Sequence, residues 1–445
     1  MDTATTDTGA RVRRQRDELE DVELVCEWAW GWRLELLLLA LLAAGFGALR
    51  LKAGLSAVVS AAVLVLVVVA LLACGPARRW LWRALCAAHV RRAWWRAWLH
   101  CGLSRVRARK VQRIPAGELV SVRVSRGFSF EDITARSEEL AACMGLRELR
   151  VERDRGNASK GTVTLVRRDP LADMGGRPWP ALGAEGMSLW DLIALGMDEM
   201  GRSVRALLVE RSLLAGGEPG AGKSAAMAIL VAAAAFDRTV KLWLLDGKRV
   251  ELAAWEPCAE RLVGPDVGEA IEVLEAVQAE MEDRYRQLLA RGLRKVTPGL
   301  PLHVVVCDEL AFYLTVEDKA QRARFSELLR DLVARGRAAG VIVLAATQKP
   351  SADVVPSSLR DLFGFRLALR CTTPQASDTI LGQGWASQGY SAATIAPGER
   401  GVGYLLADDG IPVRLRTFYL SDEDITTLAA RAAALRRHQR VELPS

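Results

Sequence analysis

The stretch from Leu213 to Ala225, L-L-A-G-G-E-P-G-A-G-K-S-A, constrains this chain more than any other. An apolar run from Leu207 to Leu214 leads into it and an alanine-rich helical pattern, Ala225 to Ala235, leaves it. Strand, tight loop and helix in that order form the setting in which G-x-x-x-x-G-K-[ST] cradles phosphates. Gly217, Glu218, Pro219, Gly220, Ala221, Gly222, Lys223 and Ser224 fill the pattern and Ala225 follows it. Backbone N–H groups of such a loop wrap the phosphates, the lysine reaches the β- and γ-phosphates, and the hydroxyl holds Mg²⁺. Glycines are needed because the backbone must come close to the phosphates and take up positive φ. A glycine-rich turn bearing a solvated lysine is the competing reading, and the flanking strand and helix argue against it. ATP and Mg²⁺ are the expected ligands.

An ATPase also needs carboxylates at the C-terminal edge of the same sheet. The run Leu302 to Cys307 ends in Asp308-Glu309, about eighty-five residues after the loop. Asp308 is placed to complete the Mg²⁺ shell with Ser224, and Glu309 to polarise the attacking water. A second apolar run, Val341 to Ala346, ends in Thr347-Gln348, where Gln348 can contact the γ-phosphate. Val240 to Leu245, ending in Asp246-Gly247-Lys248, is a further buried strand, and Phe365 to Arg370 and Gly403 to Leu406 follow. Strands alternating with helices over residues 185–420 predict an α/β fold with a parallel sheet covered by helices.

The N-terminal part has another character. Residues 1–33 are polar and mixed in charge until Trp28, Trp30 and Trp32. Two apolar runs follow, Leu34 to Leu49 and Ala53 to Gly75, separated by Arg50, Leu51 and Lys52. A helix needs about twenty apolar residues to cross hydrocarbon, so the pair is expected to form a transmembrane hairpin over 34–75. Arg78, Arg79, Arg83, Arg91, Arg92 and Arg96 come after it, which by the positive-inside rule places both termini in the cytoplasm. Residues 76–115 are expected to form a basic juxtamembrane segment with Trp80, Trp82, Trp94, Trp95 and Trp98 threaded among the arginines. Attraction to anionic membrane lipids is the simple reading of that composition, and a nucleic-acid contact the sharper one.

The formal charge of +7 favours anionic partners without choosing between them. Eight cysteines without a C-x-x-C pair point to small buried hydrophobes in a reducing compartment. From Pro115, taken as a boundary, a β-α-β-β module extends through Leu119–Val124, Ser129–Gly145, Glu148–Arg153 and Thr162–Arg167, with Ser129 and Asp132 as a capping pair. Pro170 to Met187 reads as a linker. The expected order is therefore tail 1–33, hairpin 34–75, basic segment 76–115, small α/β domain and linker 116–180, motor 181–425, and a C-terminal helix and tail 426–445.

G-E-P-G-A-G-K-S, L-L-D-G-K-R-V-E-L, E-M-E-D-R-Y, V-C-D-E-L, R-A-A-G-V-I-V-L-A-A-T-Q-K-P-S-A-D-V-V and F-Y-L-S-D-E-D-I, in this order, resemble the motor of the FtsK/SpoIIIE family of DNA translocases. D-G-K-R-V-E-L-A-A-W and S-S-L-R-D-L-F-G-F-R-L-A-L-R-C-T-T are most similar to the main transfer (Tra) proteins of actinobacterial conjugative plasmids and integrative elements. The resemblance implies a RecA-like P-loop ATPase that assembles as a hexameric ring around double-stranded DNA. It also implies a trans-acting arginine finger, carried over to Arg366, with Arg337 and Arg370 as competitors. About twenty residues follow Ile425, which leaves no room for the DNA-reading winged helix of septal members, so sequence-specific loading is expected either to need a separate DNA-loading protein or to be absent. The implied role is membrane-anchored transfer of double-stranded DNA in conjugation. Septal chromosome segregation, a protein-export ATPase, and a membrane scaffold that binds ATP without turnover are the alternatives.

Overall fold

The computed structural model describes residues 37–442, apart from 52, 53, 55, 104, 105, 126, 155, 408 and 409. The tail expected over 1–33 and the first residues of the hairpin lie outside the described residues. The chain divides into two compact units, one up to Arg168 and one from Asp169.

The first unit opens with three helices: α1 over residues 37–51, α2 from Ala57 to Ala73 and α3 from Gly75 to His100. Helix α2 carries no charge, and Val58, Val65, Leu66 and Val69 on it are each more than half exposed. The hairpin expected over 34–75 falls partly outside the described residues, at 34–36, 52, 53 and 55. Among the described residues no helix is long and apolar enough to cross a membrane, and α2 stops at 17 residues. At 1.5 Å per residue that is about 25 Å of helix, short of a hydrocarbon core of about 30 Å. The chain turns extended at Cys74, and Pro76 then sits in the first turn of α3.

The segment expected to be wholly juxtamembrane is corrected. Trp80 and Trp82 are exposed, but Trp94 and Trp98 stack with ring centroids 4.2 Å apart inside a core with Val120, Ile133, Leu140, Val163 and Leu165. Strand β1 runs from Val106 to Ile114, so Pro115 lies in a β-turn and marks no domain boundary. With β2 (Gly117–Val124), β3 (Glu148–Arg153) and β4 (Lys160–Val166) it makes an antiparallel sheet in the order β1-β2-β4-β3. Helices α4 (Phe130–Ala135) and α5 (Ser137–Met144) replace the single helix expected, interrupted at Arg136. The Ser129 and Asp132 capping box forms as expected.

The second unit contains α6 (Pro170–Asp173), β5 (Ile193–Asp198), β6 (Ser203–Ala206), β7 (Leu213–Gly216), α7 (Lys223–Phe236), β8 (Val240–Leu245), β9 (Arg261–Val263), α8 (Val267–Ala290) and β10 (Leu302–Cys307). It continues through α9 (Leu310–Leu314), α10 (Lys319–Ala339), β11 (Val341–Thr347), α11 (Ser357–Arg360), β12 (Phe365–Leu369), α12 (Pro374–Leu381), β13 (Val402–Ala407), β14 (Val413–Thr417) and α13 (Asp422–Glu442). Ten strands form one sheet in the order β6-β5-β14-β13-β12-β7-β11-β10-β8-β9. From β12 to β9 the neighbours run parallel; from β12 to β6 they run antiparallel. The wholly parallel sheet read from the sequence is thus a mixed sheet with a parallel half.

The parallel half explains its own composition. Strands β7, β10 and β11 are buried at every position, because helices cover both faces, so they read as unbroken apolar runs. Helix α7 is buried nearly all round, and its alanines let the sheet and α13 approach it from opposite sides. Arg436 of α13 donates to the carbonyls of Ala234, Ala235, Asp237 and Val240, at and just beyond the C-terminal end of α7. The Pro170–Met187 linker belongs to this unit's core: Leu171 and Trp179 are buried, Arg416 donates to the Leu171 and Ala172 carbonyls, and Arg414 pairs with Asp169 at 2.6 Å.

Candidate nucleotide site

Because β7, β10 and β11 are parallel, their C-terminal ends open on one edge of the sheet. Gly216 ends β7, Cys307 ends β10 and Thr347 ends β11, which brings the loop 217–222, Asp308-Glu309 and Gln348 together. The loop is held on two sides: Gly217 N–H donates to the Thr347 carbonyl at 3.2 Å and Glu218 N–H to the Arg370 carbonyl at 2.9 Å. Gly220 (φ +76°) and Gly222 (φ +100°) take the left-handed conformation the phosphate-loop pattern requires. A side chain on Gly222 would strike the backbone of Gly401, 2.5 Å from its nitrogen.

Helix α7 begins at Lys223 with no side chain capping it, so its first N–H groups face the loop. Such an end attracts anions. Lys223 is 4% exposed, and its Nζ lies 3.5 Å from Glu309 Oε2 without making a hydrogen bond. Burial lowers its pKa from the ordinary lysine value against the pull of Glu309 and Asp308. Ser224 is half-buried at the second helical position.

Asp308 is buried, and its Oδ2 has no hydrogen-bond partner. Burial pushes its carboxyl up to about 6, opposed by Lys223. Glu309 is held firmly: Thr347 Oγ1 donates to its Oε1 at 3.0 Å, and the Gln348 N–H reaches both of its oxygens at 3.0 and 3.1 Å. A buried ammonium and a buried carboxylate oxygen, both without hydrogen bonds, are costly in a closed core. They fit a ligand that brings phosphate oxygens to Lys223 and a cation to Asp308. No cluster of three or more His, Cys, Asp or Glu suited to a metal occurs among the described residues.

Lys223, Ser224, Asp308, Glu309 and Gln348 are thus brought together. Arg366 is placed elsewhere: it stands opposite Leu214 in the β12–β7 ladder, 3.3 Å from Asp361. Arg370 is the arginine that reaches the loop, 2.9 Å from Glu218. Sequence reasoning missed Thr347 as an anchor of Glu309, the Glu218–Arg370 pair, and Gly401, whose N–H donates to the Ala221 carbonyl at 2.8 Å. Asp246 is also fully buried and ties the D-G-K turn by accepting from Lys248 N–H and Leu252 N–H. E-M-E-D-R-Y proves structural: Arg284 donates to the Pro301 carbonyl, and Tyr285 bonds the Arg335 carbonyl.

Residues 191–381 match the family model described as FtsK/SpoIIIE family. Among curated proteins the chain is similar to "DNA translocase FtsK" of Pseudomonas aeruginosa, 29% identical over 272 residues that make up 52% of this chain and 32% of that protein. It is similar to "Protein Tra" of Streptomyces lividans, 27% identical over 308 residues, 63% of this chain and 46% of that one. The chain therefore spans less than half the length of either relative. Among solved structures it shares its fold with the pCW3 conjugation coupling protein TcpA, in monomer form with ATPgS: TM-score 0.53 and 18% identity, over 74% of this chain and 92% of that chain.

Proposed function

We propose that the chain is an ATP-driven translocase of double-stranded DNA in conjugative transfer; the match of residues 191–381 to the FtsK/SpoIIIE family model supports this reading. The observation that carries the ATPase reading is the buried Lys223, Asp308 and Glu309 cluster at the ends of β7 and β10, with the Lys223 and Asp308 polar atoms left without hydrogen bonds. The likeness to Protein Tra supports conjugation over septal segregation as the setting.

The chemistry follows from the residues. The 217–222 loop and the N-terminus of α7 bind the phosphates, and Lys223 orients the β- and γ-phosphoryl groups. Ser224 and Asp308 would hold Mg²⁺, which would supply positive charge against the phosphates. Glu309 takes a proton from the attacking water as the new oxygen–phosphorus bond forms and the bridging bond to ADP breaks. Thr347 and the Gln348 N–H fix the direction of that carboxylate, and phosphate competing for Lys223 frees it from its ion pair. Gln348 senses the γ-phosphate. Arg366, which stands 3.3 Å from Asp361 in its own chain, serves the site of a neighbouring subunit in a hexameric ring. A separate protein loads the ring on DNA, and α1 and α2, which expose their apolar side chains, seat the chain at a membrane with the motor on the cytoplasmic side.

The test uses the purified full chain. DNA-stimulated ATPase activity that disappears in Lys223→Ala and Glu309→Gln, together with displacement of a triplex-forming strand from duplex DNA, is the expected result. Normal turnover in both variants removes the site assignment; ATPase activity with the triplex left in place removes DNA translocation.

A further inference from the structure

We propose that the open cavity between α3 and β1, lined by Arg78, Arg79, Trp82, Arg83 and Arg113, binds the phosphate headgroup of an anionic phospholipid. The inference rests on the reading that α1 and α2 meet a membrane, and deepens it by naming what the protein holds there.

Four guanidinium groups share a cavity of about 540 Å³. They come from two elements: Arg78, Arg79 and Arg83 from the first turns of α3, and Arg113 from β1, whose Nη1 lies 3.9 Å from Cys86 Sγ of α3. No acidic residue occurs from Gly75 to Gln112. Among the described residues none of the four pairs with a carboxylate; Arg79 donates from Nε to the Gly75 carbonyl. Like charges gathered without a counter-charge repel one another. The position aggravates this, because the first turn of a helix already carries the positive end of its dipole, and α3 has two arginines there, no acidic residue and no side-chain cap. All four side chains are exposed, so water screens their repulsion; a bound anion adds the counter-charge the cavity lacks, and guanidinium groups match phosphate oxygens in planar pairs.

Location selects the source of the phosphate. Helix α3 starts two residues after the end of the uncharged α2, so the cavity lies at the junction of apolar and basic chain. Trp80 and Trp82 are 64% and 60% exposed beside it, and indoles of this kind sit at headgroup depth. Basic residues at that depth each add a favourable increment with anionic lipid. Duplex DNA would use the arginines but has no use for the indoles or the adjoining apolar helix.

The experiment compares the full chain, purified in detergent, for partition into phosphatidylcholine vesicles and into the same vesicles containing phosphatidylglycerol. The quadruple variant R78Q/R79Q/R83Q/R113Q is set beside a charge-matched control, R123Q/R153Q/K160Q/R168Q, and both must melt like the parent. Expected is a preference of the parent for phosphatidylglycerol that falls on the order of 100-fold in the cavity variant. The control keeps that preference, and binding to phosphatidylcholine is unchanged in all three. Equal loss in both variants means bulk charge and overturns the site. Unaltered preference in the cavity variant overturns it too, whether duplex DNA affinity or inorganic phosphate binding falls instead. A parent that binds neither vesicle type removes the membrane reading itself, an outcome distinct from the others.

Discussion

Glu218 carries a carboxylate into the phosphate-binding loop, and Arg370, the residue following β12, lies 2.9 Å from it. An acid inside an anion site opposes the ligand unless it is neutralised, so the guanidinium makes the loop usable. Both side chains are about one-fifth exposed, which leaves the pair partly screened. Arg370→Ala is expected to raise the KM for ATP on the order of 10-fold with kcat nearly unchanged, since the effect falls on ground-state binding. Glu218→Gln/Arg370→Gln should recover most of the loss. Steady-state kinetics of the three proteins check this, and a fall in kcat at constant KM would instead assign Arg370 to the transition state.

Lys223 and Glu309 separate under a nucleotide assay. Lys223→Ala should weaken ATP binding itself. Glu309→Gln should bind ATP as well as the parent, or better, yet lose turnover by about 10²-fold or more, the usual weight of a general base. Equilibrium binding of a fluorescent ATP analogue, run beside phosphate release, distinguishes the two effects.

Gly401 supports the loop from outside every sequence motif. It has φ +80°, and a Cβ there would come 2.9 Å from Thr417 Oγ1. Gly401→Ala should destabilise the motor unit by about 1–2 kcal/mol from the left-handed backbone alone. It should also weaken ATP binding, because relief of that strain shifts the residue 401 N–H from which the Ala221 carbonyl accepts. Thermal melting with and without ATP reads both effects.

His303 gives the motor unit an acid limit. It is 1% exposed on β10, neither ring nitrogen makes a hydrogen bond, and burial lowers its pKa to about 4 from an ordinary 6.5, despite Glu280 at 3.8 Å and with Lys241 and Arg284 also opposing charge. The unfolded chain takes up the proton as pH falls through 6.5, while the folded chain refuses it until about 4. The contribution of His303 is therefore fully present above 6.5 and declines between those values by about 3 kcal/mol, while the raised Asp308 carboxyl works in the opposite direction over the same range. His303→Leu should flatten that decline in denaturant titrations of the motor unit across this pH range.

Much of the nucleotide site was legible because its residues stand at the ends of short, unbroken apolar runs. Loop, Asp308-Glu309 and Gln348 could each be placed at a strand end without knowing which strands adjoin. The Glu218–Arg370 pair and Gly401 depend on β12 lying beside β7 and on β13 and β14 returning antiparallel, and neighbour order leaves no local trace in a sequence. Strand β14, V-R-L-R-T, hid for a second reason: it has only two apolar residues, and its Arg414 and Arg416 turn inward to Asp169, Glu199 and the carbonyls of α6. Strand β1 misled in the opposite way. Its arginines do face outward, and its thin apolar side, Val106, Ala108 and Val111, was too sparse to announce a strand.

Arg436 clasps carbonyls around the far end of α7, whose near end bears Lys223. A 14-residue helix is a stiff rod of about 21 Å, too short to flex between its ends. Phosphate arriving at one tip and the guanidinium latched to the other therefore pull on the same rod. Both ends of α7 are therefore tied, one to the phosphate loop and the other to α13. Arg436→Ala should loosen the rod, lowering the melting free energy by about 2–3 kcal/mol. It should also uncouple the melting of α13 from the stabilisation that ATP gives the rest of the unit, as hydrogen exchange along α13 would register.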